Sequence, residues 1–238
     1  RQTPVKVTFN NIRTINELAG RIAGQLEADS SSIIAFLSDE SNYSKDGFTK
    51  ATVISVFIPD TYQFYWTTDA QGFYDRMLKE YTAFWNDDRV AAATAHKLSP
   101  VDVSTIASIV DDEVVRADEK PRIAGVYINR LRLGIPLQAC PTIKFALNDF
   151  TIRRVLYEHL TVDSPYNTYI HRGLPPGPVR CPSKAGIEAV LKAEKHDFLY
   201  FAARADSSGG HHFSRTLAEH NRYANEYHRQ LNSRKIYE

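Results

Sequence analysis

The chain has 238 residues, enough for one or two domains, each with its own core. A net charge of +1 and the lack of any long Lys/Arg run leave no electrostatic footprint for nucleic acid, so that partner is not expected. Cys140 and Cys181 have neither Cys-x-x-Cys spacing nor a His cluster beside them, so no zinc site, other metal or cofactor is expected.

The opening RQTPVKVTF has no initiator Met, basic stretch or apolar leader, and reads as part of a longer protein. No apolar run reaches the length of about 18 residues that a membrane-crossing helix needs. Residues 5–9 alternate and predict a strand, with Asn10-Asn11 as a turn. Ile15, Leu18, Ile22 and Leu26 then repeat at helical spacing, and Thr14 is placed as N-cap. A second short helix is expected from Ser30 through Leu37. Residues 53–66 (VISVFIPDTYQFYW) read as a strand region broken at Pro59, whose ring has no N–H for a ladder. This β-α-α-β order over residues 1–68 resembles, in topology, a LysM-like module.

Asp69 to Ala95 reads as one long amphipathic helix, with Phe73, Met77, Tyr81, Phe84 and Trp85 as its inner, core-packing face. Ser99 and Pro100 start the next helix, and Asp102 suits the positive end of its dipole. A further helix is expected from Pro121 to Leu133, with Ile123, Ala124, Tyr127, Ile128 and Leu131 on one side and Gly134 as its stop. From Ile135 to Pro182 the chain is rich in Pro and Gly and predicts long loops apart from a short helix near 151–160; ordered loops of this kind are usually functional. Residues 198–214 predict a hairpin turning on Ser207 to Gly210. Thr216-Leu-Ala-Glu219 is a capping box opening a last helix that runs to about Arg234.

One residue breaks the helical pattern. Val103, Ile106, Val110 and Ala117 form a stripe that passes through Glu113, where an apolar side chain belongs. Asp111 and Asp112 rotate off that stripe toward solvent. Desolvation disfavours the charged form of a carboxyl and raises its pKa, which would keep Glu113 protonated near neutral pH as a general acid. The other reading is structural: the carboxylate pairs with Arg116, Arg122 or Arg130.

Several fragments together are similar to a known family. Ala107-Ser-Ile-Val-Asp-Asp-Glu113 and Val126-Tyr-Ile-Asn-Arg-Leu131 resemble two signatures of the YceG-like endolytic murein transglycosylases. Leu137-Gln-Ala-Cys-Pro-Thr142, Tyr166-Asn-Thr-Tyr169, Gly173-Leu-Pro-Pro-Gly-Pro178, Gly209-Gly-His211-His-Phe213 and His220-Asn221 follow in the family's order, and Phe57-Ile-Pro-Asp-Thr-Tyr62 precedes them. The family usually has Asp where Cys140 stands, so any role of that Asp in shaping the cleft is lost or replaced here. A Cys140–Cys181 bridge tying two loops is one hypothesis, worth ~4 kcal/mol in the chain-entropy model for a loop of about 40 residues.

The resemblance implies an α+β protein with a LysM-like region at 1–68 and a YceG-like catalytic domain at 69–238. It implies cleavage of the β-1,4 bond between N-acetylmuramic acid and N-acetylglucosamine in peptidoglycan, leaving 1,6-anhydro ends, with Glu113 as acid and then base. Arg130, Gln138, Tyr166, Asn167, Thr168, Tyr169 and His211 would bind the glycan. The family's members carry an N-terminal membrane anchor and face the cell-wall side, where cell-wall synthases are expected neighbours. Two other classes remain open. One is a non-catalytic peptidoglycan-binding or scaffold module, and the other is a hydrolase or protease. Against a protease stands the lack of a Gly-x-Ser-x-Gly elbow; a hydrolytic glycosidase needs a second carboxylate.

Overall fold

The computed structural model describes residues 3–114, 116–206 and 208–233. Among these residues the architecture is mixed α+β, helices accompanied by two separate two-stranded antiparallel sheets. The described residues divide into two compact units: the chain through Ser108 with Pro176–Ile187, and Ile109–Pro175 with the chain from Glu188 onward.

In the first unit β1 (Pro4–Phe9) pairs with β2 (Asp60–Tyr65), Val7 opposite Tyr62, and α1 (Ile15–Ala23) and α2 (Ser30–Ser38) lie between them in sequence. Thr14 Oγ1 accepts the Glu17 N–H at 3.1 Å, as a cap should. The helix ends at Ala23, short of Leu26, because Gln25 turns away to satisfy β1. Its Oε1 accepts the Thr8 N–H at 2.8 Å and its Nε2 donates to the Thr8 carbonyl at 2.9 Å. Ahead of Pro59 the expected strand is absent. Val53–Val56 is a single 3-10 turn, buried all round, and such a run carries no period to tell turn from strand.

The single helix expected over 69–95 is two helices. Asp69 caps α3 (Ala70–Phe84), and Asn86 caps α4 (Asp87–Ala95), its Oδ1 accepting the Arg89 N–H at 3.0 Å. An Asn side chain that bonds a downstream amide opens a new helix in place of continuing the old one. Phe73, Met77, Tyr81 and Trp85 are buried, and Phe57 stacks on Phe73 at 5.6 Å.

Residues 176–187 close this unit. The Val179 N–H donates to Ser108 Oγ at 3.0 Å, and the Cys181 N–H to the Ile12 carbonyl at 2.8 Å. Lys184 pairs with Asp60 and holds that carboxyl below the usual range. Gly177 runs so close to Ala51 that a Cβ would sit 2.1 Å from its carbonyl oxygen. Gly177→Ala is therefore expected to destabilise the protein by about 2 kcal/mol, a fall of roughly 4–8 °C in the thermal midpoint. An unchanged midpoint would show that this loop shifts without cost.

α5 (Pro100–Glu113) starts as expected, with the Ser99 N–H donating to Asp102 Oδ2 at 2.8 Å and the Asp102 N–H to Ser99 Oγ at 3.1 Å. Val103, Ile106 and Val110 are fully buried, but the helix stops at Glu113, and Ala117 lies exposed in a following 3-10 turn. Asp111 is not a plain solvent charge. Its carboxylate meets Lys120 Nζ at 2.5 Å, with only 5% of its side chain exposed.

In the second unit α6 (Lys120–Arg132) contributes Ile123, Val126 and Tyr127 to the core, and Gly134 follows with φ +63°. The loop region holds a helix the proline count obscured, α7 (Cys140–Ala146). Pro141 occupies its first turn, where the missing N–H is not needed. The helix expected near 151–160 is a 3-10 turn at Tyr157–Thr161. α8 (Lys184–Leu191), whose first turn belongs to the first unit, was not anticipated; Ser183 Oγ caps it by accepting the Gly186 N–H at 2.9 Å. β3 (Tyr200–Ala203) pairs with β4 (His211–Ser214), Phe201 opposite Phe213; Ser207 of the expected turn lies outside the described residues. α9 (Leu217–Ser233) opens on the expected box, the Glu219 N–H donating to Thr216 Oγ1 at 3.2 Å; Arg234, its expected end, also lies outside the described residues. Both cysteines are free thiols, so the Cys140–Cys181 bridge is absent. Among the described residues no helix is long and apolar enough to cross a membrane.

Candidate active site

Glu113 is the last residue of α5. Tyr127, buried on the facing side of α6, donates its hydroxyl to Glu113 Oε1 at 3.2 Å, and the Cys140 backbone N–H at the start of α7 donates to the same carboxyl. Protein crowds the carboxyl, yet the residue is only half-buried by accessible surface, so one edge stays open. Burial pushes its pKa up to about 7, against the two hydrogen bonds and the Lys144 charge, which pull it down.

Among the described residues no arginine neutralises this group. Arg116 pairs with Asp118 at 2.7 Å, and Arg122 pairs with Glu194 at 2.9 Å. Arg130 is buried and spends its guanidinium on oxygens of the chain: Leu199 O at 2.6 Å, Pro136 O and Leu137 O at 2.9 Å, and Gln138 Oε1 at 3.1 Å. Its guanidinium carbon also lies 4.9 Å from the centre of the Tyr200 ring. The structural ion-pair reading of Glu113 thus fails for all three candidates.

Cys140, standing where the resemblance leads one to expect Asp, sits 3.4 Å from the Tyr169 hydroxyl through Sγ. Burial pushes its thiol up to about 11, so it is neutral at physiological pH and puts no second negative charge beside Glu113. Tyr127→Phe removes a hydrogen bond that favours the ionised acid. The Glu113 pKa is expected to rise by about one unit, read from its carboxyl carbon in an NMR titration. No change would mean that the 3.2 Å contact carries no weight.

The other anticipated residues fall into two groups. Gln138 is exposed, held at φ +51° by its N–H to the Thr168 carbonyl at 3.0 Å. Tyr169 stands beside Cys140, and burial raises its pKa and that of Tyr166, which packs on Phe145 at 4.6 Å. Asn167 and Thr168 face inward. The Asn167 amide donates to Leu160 O and Val162 O, both at 2.9 Å, and accepts the Tyr169 N–H at 3.0 Å. Thr168 Oγ1 accepts the Ala139 N–H at 3.1 Å and lies 2.9 Å from Thr142 Oγ1. These two shape the loop and have no side-chain polar surface to offer a ligand. His211 sits on β4 against the carboxyl of Glu119. Sequence reasoning missed Tyr127, read as core stripe; the signal available was a buried Tyr hydroxyl in need of a partner.

Among the described residues no group of three or more His, Cys, Asp or Glu is arranged to hold a metal ion.

The YceG-like family matches this chain over residues 1–226. An endolytic murein transglycosylase of Bacillus subtilis (strain 168) is 32% identical over 237 residues, covering 93% of this chain and 65% of that protein. An endolytic murein transglycosylase of Streptococcus pneumoniae is 31% identical over 186 residues, covering 75% of this chain and 33% of that protein. The chain spans less than two thirds of the length of both relatives. The crystal structure of a yceG-like protein from Listeria monocytogenes matches with a TM-score of 0.79 at 30% identity, over 92% of this chain and 76% of that one.

Proposed function

The chain belongs to the YceG-like family, and from that premise we propose that it is an endolytic lytic transglycosylase of peptidoglycan. The observation that carries this reading is Glu113: a desolvated carboxyl, without an arginine partner among the described residues and poised near pH 7 to give up or take a proton. Protonated Glu113 gives its proton to the oxygen linking N-acetylmuramic acid to N-acetylglucosamine as the C1–O bond breaks. The resulting carboxylate takes the proton from the C6 hydroxyl of the muramic acid, whose oxygen bonds to C1 and closes the 1,6-anhydro ring. The proton returns to Glu113, and water is not consumed. One carboxyl therefore suffices, in contrast with the paired carboxylates of hydrolytic glycosidases.

In this reading Gln138, Tyr166, Tyr169, His211 and Arg130 line or support the glycan site, and Asn167 and Thr168 hold its wall in place. The β-α-α-β order of β1, α1, α2 and β2 supports a LysM-like region at 1–68 preceding a catalytic domain at 69–238. Action at the cell envelope on the wall side, from a membrane anchor outside this chain and beside cell-wall synthases, is part of the same proposal.

The test is digestion of purified peptidoglycan with wild type and Glu113→Gln, followed by mass spectrometry of the muropeptides. Anhydro ends from wild type alone are expected. Reducing ends would move the protein to the hydrolases. Strand binding without cleavage by wild type would favour the scaffold reading.

A further inference from the structure

Glu119 has no part in the chemistry above, yet it is buried and tied to a site residue. Its Oε2 lies 2.7 Å from His211 Nδ1, and its Oε1 accepts the His211 backbone N–H at 3.1 Å. The side chains are 9% and 11% exposed, respectively. A Cβ at position 210 would stand 3.2 Å from Oε1, so Gly210 leaves room for the double contact. An ionised carboxylate only accepts, so the proton must sit on Nδ1, and in neutral imidazole Nε2 is left as an acceptor lone pair. Nε2 has no hydrogen-bond partner among the described residues. Phe201 meets the imidazole edge-on at 5.5 Å and meets Tyr127 edge-on at 5.9 Å. His211 is thus two ring contacts from the donor to Glu113.

We infer that Glu119 is a positioning residue. It locks His211 in the Nδ1–H form, so that Nε2 accepts a hydrogen bond from a hydroxyl or acetamido N–H of the glycan bound at Glu113. Among the side chains named for the glycan site an acceptor is useful: Arg130 is a donor only, and the hydroxyls of Tyr127 and Tyr169 are already engaged. The inference rests on the transglycosylase reading for the identity of the ligand, but not for the tautomer.

Two measurements on the full chain test it. First, nitrogen-15 NMR of wild type is expected to show the Nδ1–H tautomer at His211, lost in Glu119→Gln. Second, binding of purified, uncrosslinked glycan strands is measured in a Glu113→Gln background, where turnover is slow enough for binding to be read. Asn imitates Nδ1 and keeps the tie to Glu119, whereas Gln reaches the Nε2 position. Adding His211→Asn is expected to weaken binding at least tenfold, adding His211→Gln less than threefold, and adding Glu119→Gln at least fivefold. A merely structural dyad predicts the reverse order for the two His211 variants. That reverse order, an Nε2–H tautomer in wild type, or no strand binding in the Glu113→Gln background would each overturn the inference. Equal cleavage by wild type and Glu113→Gln would instead sink the transglycosylase reading, leaving the tautomer result to stand by itself.

Discussion

Glu113→Gln is expected to lower anhydro-end formation by roughly 10²–10⁴-fold, the range by which a positioned general acid contributes. The same substitution should change the pH dependence of two properties, with signs set by one shifted pKa. Catalysis needs the proton, so wild-type turnover should decline as pH rises past about 7. Stability follows from linkage. The folded protein holds the Glu113 proton up to about 7, while the unfolded chain releases it near the ordinary value of 4.5. Folding is therefore favoured by this group below 4.5, and that contribution is lost as pH rises through about 7. Gln carries no charge to desolvate, so the variant should melt above wild type at pH 8 and lose that advantage toward pH 4. Thermal midpoints of both proteins across this pH series measure the effect. A variant that is less stable than wild type at pH 8 would mean that the carboxylate is held by favourable contacts and that the acid role has the wrong physical basis.

Arg130→Met should be the most damaging change away from the acid. The guanidinium is buried, pairs with no carboxylate among the described residues, and satisfies the carbonyls of Leu199, Pro136 and Leu137 together with Gln138 Oε1. Met fills similar space but strands those acceptors. At about 1–3 kcal/mol for each unsatisfied buried group, and less than additively, a loss near 4 kcal/mol is expected. Arg130→Lys should recover less than half, because an ammonium cannot address the backbone at 199 and the 136–138 segment from one planar fork. The segment that Arg130 grips leads directly into Cys140, whose N–H bonds Glu113, so activity should fall even at temperatures where the variant stays folded. Thermal melts with activity measured ten degrees below each midpoint separate the two effects. A loss under 1 kcal/mol would show that water replaces the guanidinium.

Local chemistry was the legible part of the fold. Thr14, Asp102 with Ser99, and Thr216 with Glu219 act within one helical turn, and each caps where its spacing indicated. The break between α3 and α4 had a local signal too, Asn86 followed by Asp87 and Asp88, but the apolar stripe running through Trp85 masked it. Pro141 made residues 140–146 look irregular. Proline is compatible with a helix's first turn, so counting breakers misread that helix, whereas residues 184–191, beyond the Pro-rich stretch, carried no expectation.

Glu113 stood out from the order of residues alone, because a carboxyl on an apolar stripe is a local anomaly. What it does could not follow from that order. Whether an arginine neutralises it depended on where three arginines spend their charge, and one finds its partner 72 residues away at Glu194. Asp111, two positions before Glu113, was expected in solvent and is buried against Lys120. Caps, turns and periodicity come from neighbours along the chain and are written in it. Desolvation and charge pairing come from groups brought together by folding, and only the tertiary structure decides which carboxyl keeps its proton.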